Sequence, residues 1–151
     1  MITMIFHLLI TWLTIISRPV QPYEVPPPND IFHVAEGMWG WSTTPHACTT
    51  APQRLSFTPD HSTMVIEWAD DSGRVKAARY QLRYVSASTI RGFITDETRK
   101  TPTGELVVWD LVLTSPDTYR WHRTDWAPGG YTGEIFRCPP GTTLPVRARR
   151  S

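Results

Sequence analysis

The sequence predicts an all-β domain: eight short antiparallel strands running up and down around a barrel, with a two-sheet β-sandwich as the alternative. Three observations carry this reading. Apolar residues alternate with polar ones from Gly37 to Cys138. Turn-forming clusters interrupt the alternation at short intervals. No long helical pattern separates the runs, so successive strands join as neighbours and most simply close into an up-and-down barrel.

Asp30 to Ala35 reads as one helical turn, with Asp30 as its cap and Ile31 and Val34 packing beneath it. GMWGWST, Gly37 to Thr43, is an aromatic first strand that Thr44-Pro45 ends. RLSFT, Arg54 to Thr58, puts Leu55 and Phe57 on one face, and Pro59-Asp60-His61-Ser62 turns the chain. TMVIEWA, Thr63 to Ala69, does the same with Met64, Ile66 and Trp68. After Asp70-Asp71-Ser72-Gly73, VKAARYQLRYV (Val75 to Val85) sets Tyr80, Leu82 and Tyr84 opposite Arg79, Gln81 and Arg83. TIRGFITDET, Thr89 to Thr98, is a strand with Gly92 as a candidate bulge. ELVVWDLVLT, Glu105 to Thr114, follows a Pro-Gly turn and puts Val107, Trp109, Leu111 and Leu113 on one face of a central strand. TYRWHR, Thr118 to Arg123, pairs Tyr119 with Trp121. YTGEIFRC, Tyr131 to Cys138, is the last strand, after the loop Ala127-Pro128-Gly129-Gly130.

The chain has 151 residues, which suits one domain. Its 40% hydrophobic and 19% charged residues are ordinary for a globular protein. A formal net charge of +1 supplies no overall field for a polyanion, so no nucleic-acid partner is expected. The 14 prolines collect at the two ends and most of the 7 tryptophans lie between them, a folded middle with irregular flanks. MIFHLLITWLTII, Met4 to Ile16, is too short for a membrane span, which needs about 20 apolar residues. Arg18-Pro19 closes it, and it reads as the apolar core of a secretory signal peptide. The expected division is a signal peptide over 1–17, a proline-rich leader over 18–30, the barrel over 31–139 and a basic tail over 140–151. The mature chain would be periplasmic or secreted, with no stable membrane span. In that oxidising compartment the only two cysteines, Cys48 and Cys138, are expected to form a disulfide. It would staple the first strand to the last and, closing a long loop, add about 4 kcal/mol.

The order of features resembles the lipocalin or calycin group: a leader turn, then Gly37-Met38-Trp39 in strand one, then an eight-strand meander. The resemblance implies that Trp39 packs across the closed end of the barrel. Thr124-Asp125-Trp126 is similar to the family's Thr-Asp-Tyr, although one strand follows it here and two follow it in the family. The chain also resembles small exported bacterial β proteins. No ligand is carried over from either likeness.

Gly37, Trp39 and Trp41 are therefore expected to be structural, with Trp41 on the face of Trp39 one pleat away. Trp109, Trp121 and Trp126 are the candidate ligand-binding residues, Trp126 because it sits in a loop. Asp110, within the most apolar strand, is expected to face outward or to pair with an arginine such as Arg120. His122 and Asp125 are close enough in sequence for acid-base work, but no nucleophile motif accompanies them. His33, His46, His61 and His122 are scattered singly, so no metal or cofactor is expected. The sequence thus favours a non-catalytic barrel that binds a small apolar ligand or an envelope protein. The alternatives are a periplasmic inhibitor or accessory module with a filled barrel, and a small hydrolase using His122 and Asp125.

Overall fold

The computed structural model of the protein describes residues 30–42, 44 and 46–145. The apolar run Met4 to Ile16, most of the leader and the arginines of the tail lie outside the described residues. Ten elements follow one another: α1 (Ile31–Ala35), β1 (Gly37–Gly40), α2 (Ala47–Thr50), β2 (Pro52–Phe57), β3 (Thr63–Ala69), β4 (Val75–Val85), β5 (Thr89–Ile94), β6 (Trp109–Ser115), β7 (Thr118–Arg123) and β8 (Ile135–Phe136). The eight strands form one sheet in sequence order, each antiparallel to the next. This is a nearly closed up-and-down barrel, and not a two-sheet sandwich.

Three contacts draw the seam between β1 and β8 together. Trp39 and Arg137 form a single bridge. The Cys138 N–H donates to the Met38 carbonyl at 2.8 Å. The Cys48–Cys138 disulfide, with Cα atoms 5.4 Å apart, ties α2 to the residues after β8. Seven hairpin-type pairings plus this seam leave little free edge, which lowers the risk of strand addition by another chain.

Alternation decides which residues face inward. Leu55, Met64, Ile66, Tyr80, Ile90, Leu111, Leu113, Tyr119 and Trp121 form one buried cluster with Ile31, Ala35, Trp39 and Ile135. On β4 the pattern breaks. Leu82 pairs with Gly92 but Tyr84 pairs with Arg91, so Arg83 is an extra residue. Such a bulge reverses the parity beyond it. Tyr84 therefore points out, 56% exposed, and Val85 packs against the core. The irregularity lies on β4 at Arg83 and not at Gly92, where the sequence predicts it. Gly92 has a different job: a Cβ there would sit 2.7 Å from the Gln81 carbonyl oxygen.

Other boundaries shift for backbone reasons. β1 stops at Gly40, and the following residues build α2. Asp30 takes the cap position of α1 but makes no side-chain cap bond. Glu105 to Val107 do not join the sheet. Thr101 N–H bonds the Glu105 carbonyl and Val107 N–H bonds the Arg99 carbonyl, so this stretch folds back on its own loop. β8 shrinks to two residues.

Alternating strand direction assigns the connections to two ends. α1 and the turns after β2, β4 and β6 share one end; α2 and the loops after β3, β5 and β7 share the other. The α1 end is closed. Trp39 lies fully buried there, its indole N–H donating to the Ala35 carbonyl at 2.9 Å. The Arg137 guanidinium covers the Trp39 ring at 4.2 Å and donates to the carbonyls of Val34, Glu36 and Pro116. Three chain segments thus meet on one cation.

Candidate functional site

The opposite end is open, and a pocket of about 270 Å³ lies in its mouth. Trp41, Gln53, Ile66, Tyr80, Trp109, Trp121, Trp126, Thr132 and Ile135 line it. Its floor is the packed core, in which Trp39 and Tyr119 meet edge to face at 4.8 Å. Above them Gln53, buried at the start of β2, donates from its amide nitrogen to the Tyr119 hydroxyl at 2.6 Å and to the Gly40 carbonyl at 3.3 Å. Burial pushes the Tyr119 phenol well above the ordinary range, so it stays neutral.

The walls are aromatic because inward positions on β4, β6 and β7 meet at one level. Leu111 pairs with Trp121 across β6 and β7, and Trp109 stands one inward step above Leu111. Tyr80 and Trp121 stack with centroids 5.6 Å apart, and Trp109 meets Trp121 edge-on, also at 5.6 Å. Trp126 comes from the loop after β7, which turns back across the mouth and brings its ring 6.3 Å from Trp109. The Trp126 N–H to Arg123 carbonyl bond at 3.0 Å and the Thr132 N–H to Trp121 carbonyl bond at 2.9 Å hold that loop. The three candidate residues Trp109, Trp121 and Trp126 therefore stand around one cavity.

Two ion pairs rim the pocket. Arg99 bonds Glu97 through two nitrogens, at 2.8 and 2.6 Å, and covers the Trp109 ring at 5.4 Å. Arg123 bonds both oxygens of Asp125 and sits 4.9 Å from the Trp109 ring and 5.3 Å from that of Trp126. The Arg99 guanidinium, through its hydrogen bond, holds the Glu97 carboxyl down at about 2. Arg123 likewise lowers Asp125. Burial raises the Tyr80 hydroxyl to about 12, with Arg99 opposing. At neutral pH the walls are thus a neutral phenol and closed ion pairs.

The other sequence candidates fall elsewhere. His122 and Asp125 do not join. The His122 Nδ1–H donates to the Gly130 carbonyl at 2.6 Å, while Arg123 takes Asp125. Asp110 faces outward and is 5% exposed; its partner is Arg91, through bonds of 2.6 and 2.8 Å, and not Arg120. The reason is register, since Asp110 lies directly across from Arg91 on β5 while Arg120 lies across from Val112. Gly37 adopts φ +133°, and a Cβ there would be 2.8 Å from Arg137 Nη1. Trp41 departs from the expected core position. β1 ends before it, and its ring, 55% exposed, leans on Trp68 at 5.5 Å and borders the mouth.

Sequence reasoning did not select Tyr80, Gln53 or the rim arginines. Tyr80 carried a signal, its inward parity on β4. Nothing near Gln53 marks it as the buried amide. A larger groove of about 450 Å³ runs outside the barrel along the seam, past Gly40, Ala47, Cys48, Phe136 and Pro139. It has no such convergence of aromatic rings. Among the described residues no group of three or more His, Cys, Asp or Glu is arranged to hold a metal ion. No protein-family model matches the chain, and neither a curated protein nor a solved structure matches it.

Proposed function

We propose that this chain is an exported, lipocalin-like binding protein without a catalytic role, which takes a small, neutral, flat apolar molecule in the mouth of its barrel. The observation that carries the reading is the aromatic mouth pocket above a filled floor. Four tryptophans and a tyrosine offer ring faces and edges, the surface that a planar apolar ligand uses best. A volume of about 270 Å³ falls just below the usual range for drug-sized ligands, which sets a small occupant. Neutrality follows because, among the described residues, the carboxylates at the rim are already paired. Glu97 and Asp125 are engaged by Arg99 and Arg123, so a charge carried into the pocket would go unpaired. Export is supported by the Cys48–Cys138 bond, which suits an oxidising compartment. No helix among the described residues is long and apolar enough to cross a membrane.

N-phenyl-1-naphthylamine, a neutral flat fluorophore, is the test ligand. Its emission should rise saturably on binding, with one site per chain. Trp126→Ala should weaken binding by about tenfold, the scale of one lost aromatic contact, with the fold retained by circular dichroism. Absence of saturable binding, or full affinity in the Trp126→Ala variant, would overturn the reading.

A further inference from the structure

The outer wall of the barrel carries a charge asymmetry that the net charge conceals. On β4 to β7, outward positions hold Arg79, Arg83, Arg91 and Arg120 against a single carboxylate, Asp110, which Arg91 engages. Among the described residues Arg79, Arg83 and Arg120 make no ion pair. Two of them lie on aromatic rings instead: Arg83 is 4.7 Å from the Phe93 centroid and Arg120 is 3.9 Å from that of Tyr131. The Arg120 Nε is buried without a hydrogen-bond partner. Tyr84 and Tyr131 stand exposed on the same wall, at 56% and 41%. The other side of the barrel differs, since Arg54 on β2 is closed by Glu67 on β3 at 2.7 Å.

We propose that this wall is a docking surface for an acidic segment of a partner protein, separate from the mouth pocket. A guanidinium laid on a ring is held in a fixed plane, and its terminal Nη donors suit bidentate, end-on binding of a carboxylate. Arginine and tyrosine side by side are the residues that dominate protein interfaces, whereas a solvated charged face has no need of them. The patch crosses four strands, about 15 Å at the usual strand spacing. That is the reach of a short extended peptide. The wall is convex, so a flat bilayer would meet only one or two strands of it, while a flexible acidic chain can follow the curve.

The test uses the full chain and fluorescein-labelled poly-L-glutamate of about twenty residues, near the usual number on one side of an interface. Binding should be saturable and should weaken as salt rises from about 50 to 200 mM, over which screening shortens markedly. Arg79→Glu with Arg83→Glu, at two exposed positions, should weaken it at least about tenfold, because like charges then face the ligand. Arg54→Gln on the far wall should leave it unchanged, and N-phenyl-1-naphthylamine binding in the mouth should be unaffected by the double variant. No binding of the polyglutamate, equal binding by the double variant, or tighter binding to phosphatidylglycerol vesicles or to single-stranded oligothymidine would overturn the proposal.

Discussion

Trp39 has no exposed surface, and its one polar atom is bonded to the Ala35 carbonyl. Trp39→Ala removes that bond and opens a cavity beneath Arg137. A loss of about 3–5 kcal/mol in chemical denaturation is expected, as for other buried aromatic truncations. Gly37 supports the same corner. Its backbone lies in a region that side chains avoid, so Gly37→Ala should cost roughly 1–2 kcal/mol by the same measurement. Trp39 and Trp41 also show where reading by residue works and where it fails. The Gly-x-Trp resemblance implied the burial of Trp39. The partial exposure of Trp41 had no signal, because it depends on the strand ending at Gly40. Acid sensitivity belongs to single residues too. Glu97 titrates at about 2 rather than at 4.5, so its contribution is complete above about 4.5 and is lost as pH falls toward 2. Thermal melts between those limits should show a falling midpoint, and Glu97→Gln should flatten that slope. Asp60, held at about 2 first by the Thr58 hydroxyl, contributes in the same direction and would remain in the variant.

Three strands, β3, β4 and β7, begin and end where alternation and turn chemistry put them, because those signals are local. The rest depended on contacts that alternation does not encode. Residues 105–107 have strand chemistry, but their backbone bonds go to residues 99 and 101. The bulge at Arg83 is set by pairing with β5, and it sends Tyr84 outward against its expected parity. α2 had no prior sign, yet it carries Cys48 to the seam. There the two short strands β1 and β8 share little beyond one bridge. The disulfide spans 90 residues, so replacing both cysteines with serine should lower stability by about 4–5 kcal/mol, the loop-entropy value. Equilibrium unfolding of the double variant checks this. An unchanged midpoint would mean that the Arg137 contacts and the residue-138 N–H to Met38 carbonyl bond hold the seam without the disulfide.

The barrel taken entire has two halves with different duties. The α1 half is filled by Trp39, Tyr119 and the aliphatic cluster, and it sets stability. The other half keeps an aromatic cavity, framed by two ion pairs and by the loop that carries Trp126. The sequence indicated the barrel and assembled Trp109, Trp121 and Trp126 as candidates. It could not tell a filled interior from a hollow one, because both use the same inward rings; only their relative heights along the strands decide it. The central claim is that ligand enters the mouth and goes no further. The indole N–H signals of the tryptophans in a two-dimensional NMR spectrum test it most directly. On titration with N-phenyl-1-naphthylamine, the signals of Trp41, Trp109, Trp121 and Trp126 should shift together and saturate, while that of Trp39 stays in place. A shift of Trp39 as large as theirs, or four unmoved mouth signals at saturating probe, would contradict the account.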